Sequence, residues 1–270
     1  MAGQNTNVRF GEPYALPPVR KLFLPDPGYL LLDVDLIGAD AQVVAWDSNE
    51  PALKHAFKNG LNVHNYNGER IWGKAYDPKK VRRKLTWRDE CKRGVHGTNY
   101  LLGVMTFIAA LGWTKAEVVQ FQSTWFRLNP NIKLWHNRIY HDLISKKKTI
   151  INQFGYRIIY FDRIDQLLPE AVAWIPQSTV ATVCSRGAIR VDKGLPWVET
   201  LLQVHDSLVC QIPYHRVTPG SLEALREHLT NEVPYPNDPL VIPWGLKVSK
   251  KSWGDLREVR WDNPEEGLNL

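Results

Sequence analysis

Cysteine is scarce in this sequence. Cys91, Cys184 and Cys210 are the only three, odd in number and far apart. They exclude a disulfide scaffold and a cysteine-rich zinc site, and they suit a reducing compartment. No stretch approaches the ~18 consecutive apolar residues of a membrane span. The opening MAGQNTNVRF has none of the apolar character of a secretory signal. Internal repeats and low-complexity tracts are also missing.

What is present describes an ordinary globular chain. Its 270 residues, 44% of them hydrophobic and 23% charged, are enough to bury a sizeable core. Eleven Trp and ten Tyr are too many for a disordered chain. The net charge of +6 and a pI near 9.1 tilt towards a polyanionic partner, nucleic acid foremost. The basic residues are clustered. KKVRRK fills positions 79–84, Arg88, Lys92 and Arg93 follow, and Lys146, Lys147 and Lys148 form another run. Taken alone, such runs are usually solvated surface.

Residues 1–28 read as an extended lead-in, and YLLLDVDL as a buried strand interrupted by Asp33 and Asp35. Residues 39–58 look helical with a break at Pro51. Thr86 is a good N-cap with Asp89 three residues on, and the helix it opens is expected to run past Ile108 to Gly112. Further helices are expected over 114–128, 131–148 and 167–192, and a strand or hairpin over 154–161. TLLQVHDSLVCQIP reads as two strands around a tight turn at His205-Asp206. Strand and loop follow, then a frayed polar end. Strands at both ends flanking a helical middle predict an α+β sheet domain with a helical insertion.

Three constellations carry chemistry. Asp35 closes an apolar strand, where a charge is costly unless paired or metal-bound. Asp206 sits at a hairpin tip, where an Asx turn is the plain explanation. Two acidic strand ends in a basic protein also match a Mg²⁺ site, since that hard ion is held by one or two carboxylates plus substrate phosphates. Arg88, Lys92, His96 and Tyr100 are spaced four apart and drift only ~120° around a helix, making one stripe ~18 Å long. Its N-terminal end combines two cations with the positive helix pole, a natural phosphate site. Its other end carries two rings. Gly94 and Gly97 in this helix permit close approach of another group.

Together these residues resemble family A DNA polymerases, specifically the bacteriophage branch. DVDLIGADAQVVAW is similar to motif A, RDECKRGVHGTNY to motif B and QVHDS to motif C. IPQST resembles the helix segment before motif C, and VRKLFLPDPG the lead-in to motif A. The resemblance runs from about residue 5 to residue 256. It implies a right-hand polymerase palm with an antiparallel sheet and a helical fingers insertion. The palm would comprise 1–50 and 165–270, with the motif C hairpin over 200–212. The fingers would span 51–164, with the motif B helix over 87–104.

The implied reaction is template-directed transfer of dNMP to a primer 3′-OH by two Mg²⁺ ions, with Mn²⁺ as a substitute. Asp35, Asp206 and the Leu36 carbonyl would hold the metals. Lys92 and Arg88 would neutralise the phosphates, and Ile37, Gly38, Asp40, His96 and Tyr100 would complete the nucleotide site. Gln177, His205 and Arg157 would contact DNA. The resemblance begins just before motif A, so a thumb and exonuclease are not expected in this chain. It is expected to be a fragment, a split-gene subunit or an unusually reduced enzyme, the catalytic palm and fingers part of a split or truncated polymerase, with a separate polypeptide supplying the thumb and exonuclease. A phage protein in the host cytoplasm, with no membrane association, is the implied setting.

The sequence departs from the family pattern at Asp40 (usually Glu), Gln42 (Arg), His96 (an aromatic ring), Leu101 (Gly) and Ser207 (an acid). A single-subunit RNA polymerase shares the palm logic, but it needs a small residue where Asp40 stands, which favours DNA synthesis. A nucleic-acid-binding subunit without catalysis is the other alternative. The joint presence of Asp35, Lys92, Tyr100 and Asp206 argues against it.

Overall fold

The computed structural model describes residues 19–83, 85–161 and 164–263. The first part of the lead-in, Lys84 of the basic run and the last seven residues lie outside them. In chain order the strands are β1 (Tyr29–Leu36), β2 (Val81–Arg82), β3 (Leu85–Thr86), β4 (Thr149–Ile151), β5 (Arg157–Ile159), β6 (Glu199–Val204), β7 (Ser207–Pro213), β8 (Glu232–Val233), β9 (Leu240–Val241), β10 (Trp244–Ser249) and β11 (Arg257–Val259). The helices are α1 (Ala39–Asp47), α2 (Pro51–Lys58), α3 (Val63–Trp72), α4 (Trp87–Asn99), α5 (Val104–Leu111), α6 (Lys115–Leu128), α7 (Pro130–Ser145), α8 (Ile164–Gly194) and α9 (Pro219–Leu229).

Two compact units emerge. The first holds residues 19–37, 181–232 and 241–263 of the described chain, and the second 38–180 with 233–240. The sequence draws its divisions at 50/51 and 164/165. Helix α1 lies in the second unit because its side chains are anchored there. Trp46 donates its indole N–H to the Asp238 carbonyl at 3.0 Å, and the buried Asp47 carboxylate receives the Trp135 indole and the Arg138 guanidinium.

The first unit is built on a five-stranded antiparallel sheet in the order β11-β10-β1-β7-β6. Its central strand explains the near-continuous apolar run: Leu30, Leu31, Leu32 and Val34 are all buried. On one face Leu31 and Val209 pack with Trp253, against which Leu202, Val204 and Leu256 also lie. Asp33 points to that same face and accepts the Trp253 indole N–H at 2.8 Å, which offsets part of its burial cost. Burial nevertheless raises its carboxyl above the usual range.

The second unit is mainly helical, with its largest buried side chains at Trp125, Trp135 and Phe107. Its helices begin where the sequence places caps. Thr86 Oγ1 accepts the Asp89 N–H, and Thr114 forms a reciprocal capping box with Glu117. The helix after Thr86 is shorter than its apolar pattern predicts. It ends at Asn99, short of both the Gly112 of that pattern and the 104 of the resemblance, and α5 is a separate element. The chain closes it by a Schellman motif: Leu101 N–H bonds to Thr98 O, and Leu102 N–H to Gly97 O at 2.8 Å. Leu101 takes a φ of 56°, the left-handed conformation that a glycine would adopt without strain. Helices α3 and α9 and strands β2, β3, β4, β8 and β11 were not anticipated.

Candidate active site

The first unit brings Asp35 and Asp206 to neighbouring backbone positions. Asp35 is the cross-strand partner of Ser207, and the Leu36 N–H donates to the Asp206 carbonyl at 3.0 Å. The β6–β7 turn that carries Asp206 is only two residues long. His205 adopts a φ of 55° there, which makes the reversal tight and leaves its side chain exposed. Asp35 and Asp206 are each half-buried. On the other side Asp35 opposes Gly245, where a Cβ would lie 3.1 Å from Asp35 Oδ1. The missing side chain thus leaves room for that carboxylate. Lys247 Nζ donates to Asp35 Oδ2 at 3.0 Å.

This donor set suits a hard divalent ion. The ligands are oxygens, and two carboxylates on adjacent strand ends leave further positions for substrate phosphates and water. Among the described residues, no group of three or more His, Cys, Asp or Glu side chains is placed to hold a metal ion. Nearby, burial and then the Asp206 charge push the Cys184 thiol up to about 12, which leaves it protonated and unreactive at neutral pH. All three cysteines are free and buried, as their scarcity and spacing imply.

The second unit carries the residues that the sequence resemblance assigns to a nucleotide. Along α4, Arg88 is half-buried and Lys92 exposed. The two cations are not left to an outside anion alone, because Arg88 pairs with the adjacent Asp89 at 3.5 Å. Further along, the His96 and Tyr100 rings meet edge to face with centroids 4.4 Å apart. Asp40, in the first turn of α1, acts on both. Burial lowers the His96 imidazole while the Asp40 charge opposes it. Burial and Asp40 together raise the Tyr100 phenol. The structure therefore gathers Asp40, His96 and Tyr100 into one cluster. Ile37, exposed, and Gly38, with a left-handed φ of 60°, carry the chain from β1 into α1. Arg157 on β5 and Gln177 on α8 are exposed.

One residue of this cluster escaped the sequence. His64, near the start of α3, lies close enough to Lys92 and Arg88 that their charges lower its imidazole. With burial as the larger cause, it is held at about 4. Its Nδ1 is buried without a hydrogen-bond partner. Nothing local marks this residue, since it meets α4 only through tertiary packing.

The family model for DNA polymerase family A matches residues 4–254, and the chain belongs to that family. It is 26% identical over 251 residues to DNA polymerase I of Helicobacter pylori (strain ATCC 700392 / 26695), covering 88% of this chain and 27% of that protein. It is 25% identical over 240 residues to a DNA polymerase of Mycobacterium phage D29, covering 88% of this chain and 37% of that one. The chain thus spans about a fifth to two fifths of the length of the curated relatives it matches. Among solved structures, it resembles the polymerase domain of Pol1 from M. smegmatis, in complex with DNA primer-template and dNTP. The TM-score is 0.75 at 20% identity, covering 87% of this chain and 42% of that one. That likeness establishes the α+β fold. Among the described residues, no helix is long and apolar enough to cross a membrane.

Proposed function

We propose that the chain is the palm and fingers of a DNA-directed DNA polymerase, with the sheet unit as palm and the helical unit as fingers. The observation that carries this reading is the juxtaposition of Asp35 and Asp206 on adjacent strand ends, in a chain belonging to the family. Asp35, Asp206 and the Leu36 carbonyl are the residues that would hold Mg²⁺. When bound, two such ions lower the pKa of the primer 3′-hydroxyl and stabilise the leaving oxygens.

The chain's own residues then supply charge and orientation. The primer 3′-oxygen bonds to the α-phosphorus, its proton passes to solvent, the bond to the bridging oxygen breaks, and pyrophosphate leaves. Lys92 and Arg88 neutralise the triphosphate, strengthened by the helix pole. His64, neutral and with one ring nitrogen unpartnered, adds a donor or acceptor beside them. Asp40, His96 and Tyr100 face the sugar and base. Gln177, His205 and Arg157 contact primer-template DNA.

The phage relative supports the host cytoplasm as the working compartment. The comparisons offer no support for a separate polypeptide carrying a thumb and a 3′–5′ exonuclease.

Primer extension by the purified chain tests the proposal, with Mg²⁺ and a templated dNTP. One-nucleotide extension that is lost in Asp35→Asn is expected. Preferential use of rNTPs would move the assignment to RNA synthesis. Duplex binding without extension under either metal would leave a binding subunit.

A further inference from the structure

Lys247 is not accounted for by the roles assigned so far. It lies on β10 opposite Asp33, so its side chain shares the sheet face of Asp33 and Asp35. From there it reaches diagonally, not straight across, to place Nζ 3.0 Å from Asp35 Oδ2. The residues directly opposite Asp35 carry no charge: one is Gly245 and the other Ser207, whose hydroxyl is turned to the Val204 carbonyl at 3.1 Å. Asp33, the other carboxylate of the face, accepts the Trp253 indole through Oδ2; burial raises its carboxyl and the Lys247 charge partly opposes this, but the ammonium's contact is with Asp35. Oδ1 of Asp35 therefore lies beside the space a side chain at Gly245 would fill, and Oδ2 against the ammonium.

We infer that Lys247 is a positioning residue that fixes the Asp35 carboxylate and sets how readily a divalent cation loads onto it. The inference rests on the assignment of Asp35 as a metal ligand. A dication approaching Oδ2 meets a fixed positive charge at contact distance, and must displace it or share the carboxylate with it. Either way the nucleotide-free chain binds the cation more weakly than two carboxylates alone would. The arriving triphosphate is polyanionic. It gives the ammonium another partner and brings charge that favours the cation, so loading becomes linked to the nucleotide. By the same linkage the cation favours nucleotide binding.

The test is a Mn²⁺ titration of the full chain without nucleotide, reading free Mn²⁺ by its EPR signal. Lys247→Met keeps the stem and removes the charge, and it is expected to tighten Mn²⁺ about tenfold, on the order of one charge-pair interaction near a surface. Lys247→Arg keeps a cation on this strand and is expected to restore wild-type affinity, which a merely structural role for the ammonium would not require. Asp35→Asn is expected to abolish the tight class in both backgrounds. If Asp35→Asn removes binding while Lys247→Met leaves the affinity unchanged, the role of Lys247 is overturned and the metal site stands. If Asp35→Asn changes nothing in either background, the metal assignment itself fails. Thermal melting of each variant confirms that all are compared as folded proteins.

Discussion

Asp206 sits on a turn whose backbone is already fixed, by the left-handed His205 before it and by the bond from Leu36 N–H to its carbonyl. Asp206→Asn preserves that geometry and removes the charge. Nucleotide addition is expected to be lost while affinity for duplex DNA holds, because affinity comes from phosphate contacts elsewhere. Parallel loss of both in binding and extension assays would point to a folding role. His64 makes a prediction about pH. Its imidazole is held at about 4 in the folded chain, against an ordinary 6.5. Between those values the unfolded chain takes up a proton that the folded chain refuses. The stability due to neutral His64 is therefore complete above about pH 6.5 and lost as pH falls towards 4. In urea unfolding at pH 7 and pH 5, His64→Gln is expected to lose less stability on acidification than wild type. Asp40 is one methylene shorter than the glutamate its family usually carries, and His96 stands where an aromatic ring is usual. Its cluster with Tyr100 is expected to be a loose sugar gate. Single-nucleotide incorporation of matched dNTP and rNTP should show Asp40→Glu tightening selection and Asp40→Ala relaxing it. A ratio constant across the three would remove Asp40 from the gate.

Helix α4 is packed by what it lacks. A Cβ at Gly94 would stand 2.7 Å from Phe121 and 2.9 Å from Trp113, and one at Gly97 would stand 2.8 Å from Phe107. These rings belong to an aromatic cluster in which Trp113 and Phe121 have centroids 4.9 Å apart and Trp72 lies 5.7 Å from Phe121. Gly94→Ala gains ~1 kcal/mol of helix propensity but overpacks the site, at ~1–3 kcal/mol. A net loss of about 1 kcal/mol is expected, or roughly 2–4 °C in Tm for a chain of this size. A rise in Tm on calorimetry would show that the rings yield freely. The glycines were legible in the sequence as places of close approach, but the group approaching was not, because α5 and α6 reach α4 only in the folded unit. The same limit explains the rest. Strand β1, the β6–β7 turn and the Thr86 and Thr114 caps were legible because their signals are local: apolar runs, turn residues, capping hydroxyls. The end of α4 at Asn99 was not, because Leu101 adopts a glycine-like conformation that its identity does not announce, and because Asn99 is held from outside by the Trp125 indole at 2.8 Å and by the His136 ring. His64 and Lys247 were hidden for the same reason. Each is ordinary in its own segment and becomes part of the site through register or packing across more than twenty residues.

The excess of six positive charges is not spread evenly, and its distribution makes a prediction about the whole molecule. Lys74, Lys79, Lys80, Arg93, Lys147 and Arg157 are all exposed on the helical unit. Some neighbouring charges are spent internally: Arg83 bonds to Glu117, and Lys54 and Lys58 both pair with Asp238. We take these six as the contacts to a nucleic acid backbone, out of a larger exposed set on this unit that also includes Lys115, Arg127 and Lys133. Each phosphate neutralised releases counterions and contributes about −0.9 to the slope of log affinity against log salt, so six contacts give a slope of about −5 on duplex DNA. Raising salt from roughly 50 to 200 mM would then weaken primer-template binding about 10³-fold. Replacing one of the six, as in Arg157→Gln, is expected to shallow the slope by about one, whatever the template sequence. Asp206→Asn is expected to leave it unchanged, because that carboxylate serves the chemistry and not the grip. Fluorescence anisotropy with a labelled primer-template at several salt concentrations measures all three. A slope shallower than about −2 in the wild-type chain would mean that these cations are only solvated surface, the plain reading of a lysine and arginine run.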